Sequence, residues 1–188
     1  NIDYWQGTMC FWMRKDPGKR NENLYKPDPA KTMNRTESYN NGETIVWTGY
    51  AYGRSISNTG MHLKRYRSWK DKPGYLQLNM NFMNGKVRSC QFSPFNWETQ
   101  WRHIGIVWSV PQKRLELYVD GKLASKADPG KEDWHMTPWD RGRDHGHNIR
   151  VITTDHGKWC ATCRDEFYIY NRCLSPEEIA ANKKLAEQ

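Results

Sequence analysis

The stretch from Trp101 to Lys126 constrains the fold of this chain more than any other part of it. Apolar side chains alternate in "IGIVW" (104–108) and in "LELYV" (115–119), and Asp120-Gly121 then precedes a third short run. Alternation with a period of two predicts strands with one buried face, and Asp-Gly between strands is typical of a tight hairpin. We therefore predict a three-stranded antiparallel meander whose inward side chains are Ile104, Ile106, Trp108, Leu115, Leu117 and Val119.

The rest of the chain predicts more short strands and very little helix. β-Branched and aromatic runs are separated by Gly, Pro and Asn signals, and Asn84-Gly85 predicts a second hairpin. The predicted strands outside the meander are Gly7–Arg14, Glu43–Gly49, Met61–Arg67, Gly74–Phe82, Lys86–Phe92, Asn148–Thr154 and Arg164–Asn171. This spacing predicts an all-β antiparallel sandwich or barrel. The polar segments 15–42 and 127–147 are long for loops, and loops of that length usually carry function.

The closing segment predicts the one good helix, over Pro176–Ala186. Ser175 is placed as its N-cap, Pro176 as the first helical residue and Glu178 three residues after the cap. Leu174 and Ile179 are spaced to clamp the start of this helix as a hydrophobic staple. In the strand before it, Phe167 and Ile169 are expected to point inward.

Three segments resemble the laminin-G-like, concanavalin-A-like lectin and glucanase family. They are "GTMCFWMRKD" (7–16), "WRHIGIVWSVPQKRLELYVDGKLAS" (101–125) and "RDEFYIYNRCLSPEEIAA" (164–181). The resemblance implies an antiparallel jelly-roll β-sandwich, a single domain over 1–188, and a module or fragment of a larger protein. Family members carry at least one strand before the first matching segment, and only Asn1–Gln6 precede it here. An unpaired sheet edge beside the final strand is therefore expected, and such an edge invites pairing with another chain.

The composition and charge of the chain limit the classes of partner that it is expected to bind. Ten Trp, ten Tyr and five Phe indicate a folded domain, although only 37% of residues are hydrophobic. No apolar run approaches the ~18 residues of a membrane span. The net charge of +8 fits an acidic glycan or an anionic surface, with solubility as the alternative explanation. Lys and Arg are scattered through loops rather than gathered on one helix, so no nucleic acid partner is expected.

Loop aromatics beside cations are the candidate carbohydrate site, because sugar rings stack on exposed indole faces and Arg pairs with acidic groups. The residues selected on this ground are Trp134, Trp139, Arg141, Arg143, Trp69 and Arg67. The alternative is that these tryptophans are hydrophobic lids over the ends of the sandwich. Trp12, Trp47, Trp101 and Trp108 lie in predicted strands and are expected in the core.

The sequence also contains candidate metal ligands. His145, His147 and His156 lie close together in sequence and could ligate a transition metal, with a solvated polar loop as the alternative. Family members often hold a structural Ca²⁺, and the resemblance places Asp165 at an acidic position of the closing signature. The cluster of oxygen ligands expected of Ca²⁺ is not visible in the sequence, and a surface carboxylate is the alternative for Asp165.

The five cysteines predict some disulfide pairing in an oxidising compartment, so we expect a secreted, periplasmic or cell-surface protein. Cys160 or Cys163 with Cys173 is one candidate pair. Cys10 with Cys90 is another, and buried free thiols are the alternative for these two. A zinc set of Cys160, Cys163, Cys173 and His156 lacks a second CxxC.

These observations predict a non-catalytic ligand-binding module, and carbohydrate, including acidic polysaccharide, is the expected ligand. A protein-interaction module or a structural subunit of a larger extracellular assembly is the alternative. A polysaccharide lyase or glycosidase is a second alternative, although the paired carboxylates of a glycosidase strand, Glu-x-Asp-x-x-Glu, do not occur.

Overall fold

The computed structural model describes residues 5–15, 42–49, 60–66, 73–82, 85–95, 100–134, 149–150 and 162–185. Ten strands and one helix lie in these ranges. The strands are β1 (Gln6–Lys15), β2 (Gly42–Gly49), β3 (Gly60–Tyr66), β4 (Tyr75–Asn81), β5 (Val87–Phe92), β6 (Arg102–Ser109), β7 (Arg114–Val119), β8 (Lys122–Lys126), β9 (Ile149–Arg150) and β10 (Thr162–Tyr170). The helix α1 spans Pro176–Leu185.

The strands form two five-stranded antiparallel sheets. Sheet A has the order β10-β1-β6-β7-β8, and sheet B has the order β5-β4-β3-β2-β9. Along one side the two sheets approach each other, since the Gln91 N–H of β5 donates to Ser125 Oγ of β8 at 3.2 Å. The predicted antiparallel sandwich is confirmed, and the predicted strand bounds agree with the structure to within a few residues.

The predicted meander is β6, β7 and β8, and its inward residues lie in the core between the sheets. Ile104, Ile106 and Leu117 are fully buried there, with Trp108, Leu115 and Val119 in the same cluster. Both predicted hairpins form. Asp120 and Gly121 have φ values of 52° and 76°, as a type I′ turn requires, and Gly85 has φ 76° in the β4–β5 hairpin.

A second apolar cluster lies on the outer face of sheet A, beneath α1. Ile179 and Leu174 pack there against Cys10, Val107 and Tyr118. Gly105 allows this approach, because a Cβ on it would lie 3.2 Å from Ile179 Cγ2 and 3.1 Å from Tyr118 Cβ. Helix α1 therefore seals one outer face of the sandwich rather than the inter-sheet core.

The predicted cap and staple of α1 are confirmed. The Ser175 N–H donates to Glu178 Oε2 at 2.8 Å, and the Glu178 N–H donates back to Ser175 Oγ at 3.3 Å. Leu174 and Ile179, the two staple residues, are both buried. Thr8 on β1 fixes the corner before them: its hydroxyl donates to Arg172 O and accepts from the Leu174 N–H, each at 2.9 Å.

Strand β10 is the edge of sheet A within the described part of the chain, and it carries a bulge. Phe11 opposes both Glu166 and Phe167 because the register shifts between Cys10 and Trp12, and Glu166 has φ 51°. Phe167 points inward as predicted and stacks on Phe11 with ring centroids 5.2 Å apart. Ile169 pairs with buried Met9 and therefore lies on the inward face as predicted, but it remains 37% exposed because β10 is at the edge.

Candidate functional site

Trp134 belongs to the core. It is 5% exposed and packs in the main cluster, with its ring centroid 5.3 Å from that of Phe82. Its indole N–H donates to Pro129 O at 2.8 Å, so the polar end of the side chain is also satisfied. No indole face is left for a sugar ring, and the position is that of a lid over the end of the sandwich.

The other predicted carbohydrate ligands lie outside the described residues: Trp139, Arg141, Arg143, Trp69 and Arg67. The same holds for three predicted metal ligands, His145, His147 and His156. Asp165 is described and is exposed on β10, where its Oδ1 accepts the Glu166 N–H at 2.9 Å. No three His, Cys, Asp or Glu side chains gather around a common point within the described ranges, so these residues do not supply a calcium or transition-metal set.

The described cysteines are free thiols: Cys10, Cys90, Cys163 and Cys173. Cys10 faces α1 on the outside of sheet A, whereas Cys90 lies in the core between the sheets, so the two cannot meet. Burial raises the pKa of each of these two thiols to about 12. The Cys173 Sγ–H donates to Trp108 O at 3.2 Å. The disulfides predicted for Cys10 with Cys90, and for Cys173, are therefore not formed.

The outer face of sheet B is lined mainly by polar side chains. The inward residues of β3 and β4 are buried, including Leu63, Leu76 and Leu78, and every second residue points away from the core. We call the outward set on β3, β4 and β5 the amide face, and its residues are His62, Lys64, Tyr66, Tyr75, Gln77, Asn79, Asn81, Val87, Ser89 and Gln91.

A hydrogen-bond chain crosses three strands of the amide face. Ser89 Oγ donates to Asn79 Oδ1 at 2.6 Å, and Asn79 Nδ2 lies 3.0 Å from His62 Nε2. An amide nitrogen only donates, so His62 Nε2 accepts and the ring proton resides on Nδ1. The chain thus fixes the tautomer of His62 and aligns the donors and acceptors of three side chains.

His62 is uncharged near neutral pH. Burial, together with the smaller effect of the positive charge of Lys64 two residues along β3, lowers the pKa of the His62 imidazole to about 4. The row that contains His62 continues across the sheet, because Trp47 of β2 is its Cα partner and Arg150 of β9 is the partner of Trp47.

Two tyrosines stand at one end of the amide face. Tyr66 and Tyr75 are cross-strand partners, and their rings stack with centroids 4.5 Å apart at an angle of 14°. Such a pair presents flat apolar surface together with two hydroxyl groups. Tyr66 directly precedes Arg67 in the sequence, so the end of this face leads into one of the predicted sugar-binding segments.

The charges on the amide face have one sign. Lys64 is the only charged side chain of the outward set on β3, β4 and β5, since Arg65 and Arg88 belong to the inward-facing positions. No carboxylate of the described residues lies on this set. The face therefore offers hydrogen-bonding amides, hydroxyls, a neutral imidazole and one cation, but not the carboxylate pair that glycoside hydrolysis needs.

A second aromatic patch, which the sequence did not suggest, lies on sheet A beyond α1. Trp101 is 37% exposed, and the Arg14 guanidinium lies 4.8 Å from its ring centroid. Trp12 is half-buried and meets the His103 ring edge-on at 5.4 Å. The prediction of core positions is thus confirmed for Trp108 and wrong for Trp101 and Trp12. The Arg14–Trp101 contact covers one side of the indole, which suits a surface that stabilises the sheet.

The two antiparallel sheets, their meander and the capped closing helix define a jelly-roll β-sandwich. The family model for the concanavalin A-like lectin/glucanases superfamily matches residues 6–180. The chain belongs to that superfamily, as the resemblance of its three segments implied. No curated protein sequence matches the chain.

Solved structures with the same fold are distant in sequence. The carbohydrate-binding module CBM40 of a Ruminococcus gnavus IT-sialidase has a TM-score of 0.58 at 11% identity, and the match covers 95% of this chain and 82% of that one. The HCR/D W1238A mutant has a TM-score of 0.58 at 16% identity, covering 99% of this chain and 38% of that one. A leech intramolecular trans-sialidase has a TM-score of 0.57 at 12% identity, covering 96% of this chain and 23% of that one.

The Ruminococcus gnavus module has also been solved bound to α2,3-sialyllactose and to α2,6-sialyllactose, with TM-scores of 0.54 and 0.55. At these identities the likeness shows the fold alone. Among the described residues, no helix has the length and apolar character needed to cross a bilayer.

Proposed function

We propose that this protein is a non-catalytic carbohydrate-binding module and that the glycan lies on the amide face. The observation that carries the proposal is the cross-strand chain from Ser89 through Asn79 to His62, together with the stacked Tyr66 and Tyr75 on the same face. Sugars present many hydroxyl groups above flat apolar ring faces. A surface of fixed amides, an imidazole and aromatic rings matches both features.

The superfamily membership supports this proposal, and so does the fold shared with a module solved in complex with sialyllactose. Trp139, Arg141, Arg143, Trp69 and Arg67 stay predicted carbohydrate ligands, and they lie outside the described residues. Trp134 is left out, since its indole is packed in the core. We also propose that the protein is secreted, periplasmic or on the cell surface. The four described cysteines are free thiols and do not support this part of the proposal.

A glycan array followed by affinity electrophoresis in polysaccharide gels tests the proposal. Tyr75→Ala and Asn79→Ala should each weaken retention, by roughly threefold to tenfold for an aromatic contact and a similar factor for a lost hydrogen bond. Tyr168→Ala is the matched control, because Tyr168 is an exposed tyrosine on sheet A, away from the amide face. Retention that no amide-face variant alters, or no retention on any glycan, would contradict the proposal.

A protein-interaction role is the second candidate, and the exposed edge of β10 favours it. Tyr168 and Ile169 are 39% and 37% exposed there, beside the corner that leads to α1. The bulge at Glu166 and Phe167 interrupts the ladder, so an added strand would pair with only one end of β10. Light scattering of the isolated chain tests this role: a monomer at all concentrations, unchanged by Ile169→Lys, argues against self-pairing at this edge.

A further inference from the structure

We propose that the ligand of the amide face is an acidic glycan, whose carboxylate or sulfate group binds at Lys64 next to His62. This inference rests on the proposed function, because it assigns a ligand class to the same face. It singles out one place on the face and one chemical group of the sugar.

Lys64 is a half-buried residue whose cationic side chain belongs to the amide face. No ion pair joins it to a carboxylate in the described part of the chain, whereas Lys86, Lys113 and Arg102 each have such a partner. An ammonium group makes charge-assisted hydrogen bonds with carboxylate and sulfate oxygens, and Lys64 is the one cation among the outward residues of β3, β4 and β5. A bound acidic group would supply a counter-charge to it at the centre of the face.

The neighbours of Lys64 offer N–H donors to a bound anion and carry no negative charge that would repel it. The His62 ring carries its proton on Nδ1, and the Asn79 amide has a second N–H besides the one it directs at His62. Gln77 is the Cα partner of Lys64 on β4, and Thr44 and Trp47 are the Cα partners of Lys64 and His62 on β2. None of these neighbours ionises near neutral pH, so Lys64 supplies the charge that His62 experiences among the described residues.

The protonation of His62 distinguishes an acidic ligand from a neutral one. A negative group beside the imidazole favours its charged form, so an acidic glycan should raise the His62 pKa from about 4. A neutral glycan removes more water from the ring and should lower the pKa instead. NMR titration of the ring resonances, assigned with His62→Gln, reports the direction in the free and bound protein.

Matched probes separate the charge of the glycan from its shape. The pairs are α2,3-sialyllactose with lactose, an oligogalacturonate with its methyl ester, and a sulfated galactan oligosaccharide with its neutral desulfated form. Calorimetry should show tighter binding of one acidic member than of its neutral partner. Lys64→Gln should weaken that binding by about tenfold or more, as expected for a lost charged hydrogen bond.

Lys122→Gln is the matched control, because it removes the same charge from the exposed start of β8. It should change affinity by less than about twofold, the effect of a distant screened charge. Equal affinity for the acidic and neutral members of all three pairs, or equal loss in the two lysine variants, would overturn this inference and leave the proposed function standing. No binding of any array glycan would overturn both.

Discussion

The outer faces of sheet A and sheet B differ in what covers them. The outer face of sheet A is covered over part of its area by α1, and residues beneath the helix form an apolar cluster. The outer face of sheet B is lined by amides, hydroxyls, an imidazole and two tyrosines. Helix α1 therefore adds stability on one side of the sandwich. The other side keeps polar groups that a water-exposed sheet does not need for folding.

The difference between the two faces predicts that stability and glycan affinity can be changed separately by mutation. Changes under α1 should alter the free energy of unfolding without altering glycan affinity per folded molecule, and changes on the amide face should do the reverse. The predictions below examine the stability side of that separation, ordered by expected size.

Ile179→Ala should be the most damaging. Ile179 is fully buried beneath α1, and loss of such a side chain leaves a cavity that costs about 2–5 kcal/mol. Urea unfolding followed by tryptophan fluorescence measures the change. Leu185→Ala on the same helix is the control, since Leu185 is 69% exposed and should change the free energy by less than about 0.5 kcal/mol. A similar loss in both variants would mean that α1 does not seal sheet A.

Thr8→Val should cost about 1–3 kcal/mol at nearly unchanged volume. The buried Thr8 hydroxyl serves both Arg172 O and the Leu174 N–H, and valine would leave these two groups without their partner. Thermal unfolding compares the variant with the native chain. Thr8→Ser, which keeps the hydroxyl and loses one methyl, should be the less damaging of the two changes. The opposite order would show that packing rather than hydrogen bonding fixes this corner.

The pH dependence of stability should carry a contribution from His62. Its folded pKa of about 4 lies below the ordinary 6.5, so above pH 6.5 both states are neutral and His62 has no effect. As the pH falls from 6.5 to 4, the unfolded chain takes up the proton and the folded one does not, so stability declines. The loss is about 2 kcal/mol at pH 5 and grows to about 3 kcal/mol at pH 4. Urea unfolding of the native chain and of His62→Gln across this range should show a steeper decline for the native chain, and parallel curves would contradict the burial of His62.

Ser175→Ala should have the smallest effect, about 1 kcal/mol, because it removes one half of the capping box. Differential scanning calorimetry resolves a shift of this size. Ser175→Asp restores an N-cap acceptor and should recover most of the loss. If Ser175→Ala left the melting temperature unchanged, the Glu178 and Arg172 contacts alone would hold the start of α1.

Local signals in the sequence were sufficient for the fold and insufficient for the site. Leu174, Ser175 and Ile179 were placed correctly because capping and stapling depend on residues a few positions apart. The amide face depends on which strands become neighbours. His62 and Asn79 are 17 residues apart, and the alternation of polar residues in β3 and β4 became informative only once their register was known.

The tryptophans show the same limit. A strand position alone does not say which face is buried, so Trp108 went to the core while Trp101 stayed exposed beside Arg14. Trp134 lies in a segment that reads as polar loop, yet it packs against Phe82 in the core. In these cases the outcome depends on the opposite sheet, which no window of neighbouring residues contains.

The antiparallel pairing of β1 with β10 also decides how the molecule would respond to tension. Gln6 and Tyr170 lie at the same end of this ladder, since Thr8 pairs with Tyr170 and Lys15 with Thr162. A force applied to the chain before β1 and after β10 would load the ladder from that end, so its hydrogen-bond pairs would break one after another. Thr8, with its bonds to Arg172 and Leu174, lies at the end of the ladder where this opening would begin.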